Sequence, residues 1–412
     1  MFKKKNIRQT FSSLTVRNYR LFFFGQVIST TGTWMQVLGQ AWLVLKLTGS
    51  GTALGFVVAL QFLPVLFVGA WAGVVVDRFP RRNLLLVTQF AAGILAGILG
   101  LLVATDAVVL WHVYALALGL GLVNALDNPA RQSFITEMVN KEHLTSAVSL
   151  NSIQLNLTRV LGPALAAVLI ASTGLASLFV SNALSYIAVI IALLLMKREH
   201  LYIVPTIPVA KGQLAEGLRY VRNSPIIVVT LLMMAIIGTL TYEFTVSLPL
   251  FAQVTLNGTA TTYAKLSAAL GIGSIIGAIS TANRKHTNGM MLIRAAFLFG
   301  LAVIFFSLAP VLWVALILLL VVGYFSVCFL SLGNIILQME TLPEMRGRVM
   351  GLWAVAYLGS TPIGGPTIGW ISETFSPRWG LAVGGIAAIS AGILGAVVLK
   401  SKLLKKETTD IV

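Results

Sequence analysis

Charge is scarce in this chain. Only 10% of its 412 residues are Asp, Glu, Lys or Arg, and 57% are hydrophobic; an ordinary soluble domain carries about 25% charged residues. So little charge cannot coat a globule in water, but it suits a surface that faces lipid. Cysteine is scarcer still. Cys328 stands alone inside an apolar run, which excludes a disulfide framework and a cysteine metal centre. The histidines His112, His143, His200 and His286 are far apart, with no HxxxH or HExxH spacing. No G-x-x-x-x-G-K-[ST] segment exists to draw energy from ATP. Paired aspartates and Ser–His sets at membrane depth are missing too, so an intramembrane enzyme would lack its catalytic groups. No metal or cofactor is expected.

What the chain has is long apolar runs. A spanning helix needs about 20 mostly apolar residues, and such runs occupy about 20–46, 52–76, 83–104, 108–130, 145–171 and 175–196. They resume at about 226–253, 262–282, 290–309, 311–338, 347–372 and 378–399. The expected fold is all-α, with twelve transmembrane helices as two pseudo-symmetric six-helix bundles, 1–196 and 225–412. A polar linker, 197–224, joins them, and its amphipathic stretch (Leu214, Leu218, Val221) is expected at the membrane surface. Lys3-Lys4-Lys5 precedes polar sequence, and the first apolar run continues into a long span, so no cleavable signal peptide is expected.

The formal net charge of +16 could suggest nucleic acid, but the placement of the charges argues otherwise. Of 29 Lys and Arg residues, 25 fall in the two termini, the linker and the even-numbered loops. Only Lys46, Lys265 and Arg378 lie on the other side, and Arg159 is mid-membrane. This asymmetry predicts a multi-pass protein of the plasma or inner membrane with both termini cytoplasmic, and an attraction to anionic lipid. Nucleic acid is not an expected partner. The bilayer is, and the expected state is a monomer.

The halves echo each other. Asn128-Pro129-Ala130-Arg131-Gln132 and Thr136-Glu137-Met138 leave span 4, and span 5 carries Gly162-Pro163. Asn334, Gln338 and Pro343-Glu344-Met345 leave span 10, and span 11 carries Gly365-Pro366. Such a repeat places a substrate path between two bundles that open alternately to each side.

Gly73-Val74-Val75-Val76-Asp77-Arg78-Phe79-Pro80-Arg81-Arg82 resembles the G-x-x-x-D-R-x-G-R-R loop of the major facilitator superfamily, with Pro80 where glycine is usual. The resemblance implies a charge latch of Asp77, Arg81 and Asp127 in the outward-facing state, with Gly73, Arg78 and Arg82 completing the loop. Asn18-Tyr19-Arg20-Leu21-Phe22, Gly25-Gln26, Trp34-Met35-Gln36, Leu47-Thr48-Gly49-Ser50 and Asp127 to Gln132 narrow the likeness. They resemble the transmembrane secretion effector branch, which holds enterobactin exporters and macrolide-type efflux permeases. Span 4 lacks the internal arginine of many proton-coupled members, and the span-5 motif G-P-x-x-G-G reads Gly162-Pro163-Ala164-Leu165-Ala166-Ala167.

Polar groups at bilayer depth are costly and mark candidate sites. On span 1 the helical period puts Gln26, Ser29, Thr30, Thr33, Gln36 and Gln40 on one face, beside a stripe of Gly25, Gly32 and Gly39 that allows close packing. This face is expected to line a cavity; the alternative is interhelical hydrogen bonding without substrate. Glu243 is the one carboxylate well inside a span, with Thr239 and Ser247 a turn away. It is the proton-coupling candidate, or else a structural carboxylate. Arg159 shares a face with Ser152, Asn156 and Pro163, and keeps its charge at any depth. It needs an acidic partner, for which Glu243 is one option, carbonyls, water or an anionic substrate, and structural pairing and substrate binding both stay open. Asn334 joins the cavity candidates, and Glu340 is expected to pair with Arg346 or Arg348.

The function expected is secondary active efflux of an amphipathic small molecule by alternating access, driven by protons. The alternatives are a dedicated siderophore exporter, a nutrient importer, and a membrane receptor or scaffold that moves nothing. The lack of a sizeable soluble module counts against the last.

Overall fold

The computed structural model describes residues 11–202, 213–282 and 287–409, all helix, turn or loop. Lipid offers no hydrogen bonds to a bare backbone, so a spanning segment must satisfy its own polar groups, and helices do so. In order these are α1 (Arg17–Thr48), α2 (Gly51–Arg78), α3 (Arg81–Ala104), α4 (Leu110–Met138), α5 (Lys141–Thr173) and α6 (Ala176–Leu194). Next come a short α7 (Gln213–Arg222), α8 (Pro225–Leu240), α9 (Phe244–Leu250), α10 (Ala260–Ala282), α11 (Gly289–Ser307) and α12 (Leu312–Glu340). The last are α13 (Arg346–Leu358), α14 (Thr361–Thr374) and α15 (Pro377–Thr409). Taking α8 with α9, and α13 with α14, as single interrupted spans gives the twelve crossings of the major facilitator fold.

Ten of these crossings contain a helix long and apolar enough to cross a membrane. The other two are α1, diluted by glutamine and threonine, and α13–α14, whose break leaves two pieces of 13 and 14 residues. The repeat is visible in the elements. Both α4 and α12 have 29 residues, and each exposes a tryptophan at its start, Trp111 and Trp313. Tryptophan at a helix end suits the membrane–water interface.

The chain forms two compact units, residues 1–47 with 63–208, and residues 48–62 with 209–412. The helix α2 therefore contributes to both.

In the first unit the helix ends beside the N-terminus of α1 share an apolar cluster that includes Tyr19, Phe22, Leu85, Phe134, Met138 and Leu193. Polar stitches hold it in register. The Tyr19 hydroxyl donates to the Ala147 carbonyl at 2.8 Å, and Asn18 exchanges two hydrogen bonds with the Lys197 backbone. Arg82 donates to the carbonyls of Leu193 and Leu194, closing the C-terminal end of α6. The Gly25, Gly32 and Gly39 stripe packs on α6, as small residues at a helix interface allow.

In the second unit α7 docks on α13. Arg348 pairs with Glu216 at 2.8 Å, and the Tyr220 hydroxyl accepts from the Leu342 N–H at 3.1 Å. This corrects the expected pairing at Glu340: Arg348 takes its carboxylate from the linker helix, Arg346 donates to the Thr341 carbonyl, and Glu340 is exposed. On the amphipathic helix Val221 is buried and Leu218 exposed; the side chain of Leu214 lies outside the described residues.

Two spans read as continuous are broken. Between α8 and α9, Thr241 turns its hydroxyl to the Gly384 carbonyl at 2.7 Å, and the Phe244 N–H bonds Tyr242 O. Further on, Pro249 removes a backbone donor, and Phe251–Thr255 forms a π turn. Between α13 and α14, Pro362 cannot donate to the Leu358 carbonyl, and the Ser360 hydroxyl turns back onto Ala356 O and Tyr357 O.

Candidate functional site

In the first unit the polar face of α1 meets α4, α5 and α6. The Gln36 side-chain carbonyl accepts from Asn182 at 2.7 Å, and Thr33 lies 3.5 Å from the Tyr186 hydroxyl. Gln154 of α5 donates to the Thr30 hydroxyl at 2.9 Å and to Gln26 O at 3.3 Å. Gln26, Gln36 and Gln40 are buried, whereas Thr30 and Thr33 are partly exposed. The Gln36 and Gln26 side-chain carbonyls link α1 to α6 and, through Arg131 at 3.5 Å, to α4, and the accessible part of the face is carried by the two threonines. Asn156 donates to Ser152 O on its own helix.

Arg159 sits halfway along α5. Its guanidinium lies over the Trp34 ring at 5.2 Å, a cation–π contact. Gly162 makes this possible, because a Cβ there would strike the Cβ of Trp34. Arg159 Nε is buried without an acceptor. The described carboxylates of its own unit that are paired are engaged elsewhere. Glu137 pairs with Arg81, and Asp127 accepts from Thr88 at 2.7 Å and Gln89 at 2.8 Å, with Arg131 3.8 Å away.

Of the expected latch, the described residues show these contacts: Arg81 of α3 meets Glu137 at the C-terminal end of α4, both largely buried, and Asp127 is held by Thr88, Gln89 and Arg131. The physical reason is depth. Asp127 lies about ten residues, or 15 Å, further into the bundle than Glu137 at 1.5 Å per residue, so an arginine at the first position of α3 meets Glu137 first. Arg78 is exposed, Arg82 is spent on backbone carbonyls, and the side chains of Gly73 and Asp77 lie outside the described residues.

In the second unit Glu243 stands at the break between α8 and α9, and is 3% exposed. One carboxylate oxygen, Oε1, is buried with no hydrogen-bond partner, and the Thr361 hydroxyl is within bonding reach of the carboxylate. Ser247 lies one helical turn from Glu243, with its N–H and hydroxyl both bonded to Glu243 O, and the Thr239 hydroxyl donates to Ala235 O; neither hydroxyl bonds the carboxylate. What faces Glu243 is the start of α14. A Cβ on Gly364 would overlap Thr239 O and lie 2.8 Å from Glu243 Oε1, so only glycine permits this approach. Next to it Tyr242 donates to Ser326 O at 2.7 Å and packs edge-on against Tyr357. Asn334 bonds Gln338 of its own helix.

Sequence reasoning missed Glu137, Thr88, Gln89, Trp34 and Thr361. Glu137 was visible as an acid at a helix end facing the Arg81 loop, and Ser360-Thr361-Pro362 as a break signal. Trp34 and Gln89 gave no signal, since a lone aromatic or amide in an apolar run shows nothing of its partner. Among the described residues no cluster of His, Cys, Asp or Glu could hold a metal ion.

The profile of the transmembrane secretion effector family matches residues 8–412. The chain is 24% identical to the staphyloferrin A transporter of Staphylococcus aureus, over 95% of this chain and 98% of that one. It is 26% identical to the enterobactin exporter EntS of Salmonella choleraesuis, over 90% and 85%, and 24% identical to the multidrug efflux pump Tap of Mycolicibacterium fortuitum, over 84% and 86%. Among solved structures, the POT family transporter PepTSo superposes with a TM-score of 0.74 at 12% identity, covering 94% of this chain and 99% of that one. With that family match over nearly its whole length and its twelve crossings, the chain belongs to the transmembrane secretion effector family of major facilitator membrane transporters.

Proposed function

We propose that this transporter exports amphipathic small molecules from the cytoplasm or inner leaflet, driven by protons that load Glu243. The observation that carries the coupling is the unpartnered Glu243 oxygen, buried at a helix break beside Thr361. An ionised carboxylate there lacks the hydrogen bonds that would support its charge, so proton uptake relieves a cost that reappears when the proton leaves. Discontinuous helices at the midplane are where coupling ions bind in transporters built from repeats. The bundles 1–196 and 225–412, joined by the 197–224 linker, rock in alternation, and the inner-end pair Arg81–Glu137 and the Asp127 cluster brace the cytoplasmic side. The chain works as a monomer in the plasma or inner membrane with both termini cytoplasmic.

Relatives named for staphyloferrin A, enterobactin and multidrug efflux support an amphipathic cargo. The first two favour a second reading, a dedicated siderophore exporter. Purified protein in proteoliposomes with an imposed pH gradient tests both, using hydroxycarboxylate and catecholate siderophores beside lipophilic drugs. Gradient-driven movement that Glu243→Gln abolishes supports proton coupling; movement indifferent to gradient and variant overturns it. Siderophores alone moving would favour the second reading.

A further inference from the structure

We infer that Arg159 and Trp34 form a recognition station for an oxyanion, and that the exported molecule carries a carboxylate. This rests on the exporter reading, to which it adds the chemical class of the cargo.

The two residues are brought together by α1 and α5 of the first unit, and both remain partly accessible. Among the described residues Arg159 makes no hydrogen bond, its Nε is buried without an acceptor, and its guanidinium carbon lies 5.2 Å from the centre of the Trp34 ring. A cation–π contact uses none of the guanidinium N–H groups as hydrogen-bond donors, and the two terminal nitrogens match a carboxylate bidentately. A structural arginine at this depth would spend its donors on carbonyls. At helix ends Arg82 bonds the Leu193 and Leu194 carbonyls, though its Nη1 is buried without a partner, and Arg378 bonds Ser307 O and Ala309 O. Arg159 differs in that, among the described residues, it bonds no carbonyl at all, while its positive charge is fixed.

Its depth narrows the source of the anion. Arg159 lies about 27 Å from the start of α5 and about 21 Å from its end at 1.5 Å per residue. A lipid phosphate at either surface does not reach it. A carboxylate-bearing amphiphile travelling through the bundle does, and its apolar body matches Trp34.

The test uses 11-(dansylamino)undecanoate and its neutral primary amide, which differ only at the head group. Both are titrated by fluorescence against purified protein in detergent. Wild type is expected to bind the acid at least about tenfold more tightly than the amide. In Arg159→Gln the two affinities should converge to within about twofold, with the amide unchanged, and Arg159→Lys should keep part of the preference. Equal affinities in wild type, or an acid preference that survives in Arg159→Gln, overturns the inference. The wild-type comparison needs no variant, so a misfolded Arg159→Gln does not blunt it. Failure of the exporter reading looks different: the acid binds through Arg159 but neither probe leaves proteoliposomes faster than from protein-free vesicles. Active export of the amide with no acid preference would instead retain the exporter and discard the station.

Discussion

The Arg81–Glu137 ion pair shows how much single contacts matter in a protein with so few charges. Arg81 and Glu137 have only 11% and 15% of their side chains exposed, so removing one leaves the other poorly solvated, at a cost of up to about 3–5 kcal/mol. Glu137→Ala and Arg81→Ala should each lower the melting temperature in detergent. The double variant should lose less than the sum, with a coupling of about 1 kcal/mol or more in a double-mutant cycle; strict additivity would deny the pair. In the second unit Glu373 accepts from Ser50 Oγ at 2.7 Å and from the Thr52 N–H at 2.9 Å, in the first turn of α2. Bonds from the Thr52 side chain, the Thr52 backbone and Ser50 hold its carboxyl below the ordinary carboxylate range. A carboxyl lowered in this way contributes stability above its ordinary pKa and loses it as pH falls through the lowered value. Thermal melts from pH about 5 down to about 3 should therefore fall more steeply for wild type than for Glu373→Gln.

Elements were legible in the sequence to the extent that lipid dictates them. A run of about 20 apolar residues has few uses besides spanning, which is why α3, α6, α10 and α11 fall close to their expected bounds. The break between α8 and α9 was not, because hydropathy does not change where a helix is interrupted: Thr241-Tyr242-Glu243 contains no proline and no glycine. The interruption follows from partners remote in sequence, Gly384 for Thr241 and Ser326 for Tyr242. For the same reason Glu243 could be picked out as a carboxylate in an apolar run, while its apposition to Thr361 and Gly364 could not. Gly364→Ala tests the apposition of α8 and α14. The added methyl must push α14 away from Thr239 O, an overpacking cost of about 1–3 kcal/mol. Gradient-driven transport should fall with it, whereas a methyl at Gly351, which meets nothing, should leave both unchanged.

For the whole molecule, composition settled the class and charge placement suggested the orientation, since neither depends on which side chains touch. Reporter fusions at residues 1 and 412 should both be active on the cytoplasmic side; a periplasmic signal from either would reverse the orientation proposed. The two interrupted spans bear on the temperature dependence of turnover. A helix that has to bend during transport must open backbone hydrogen bonds in a medium that offers no replacement, and each opening adds to the activation enthalpy. Here groups at Thr241–Phe244 and at Ser360 have already taken other partners, so the joints are open before any substrate arrives. Transport should accordingly have a shallow Arrhenius slope, and Pro362→Ala, by restoring a donor for the Leu358 carbonyl, should steepen it: a transporter that hinges without melting its own backbone keeps working in the cold.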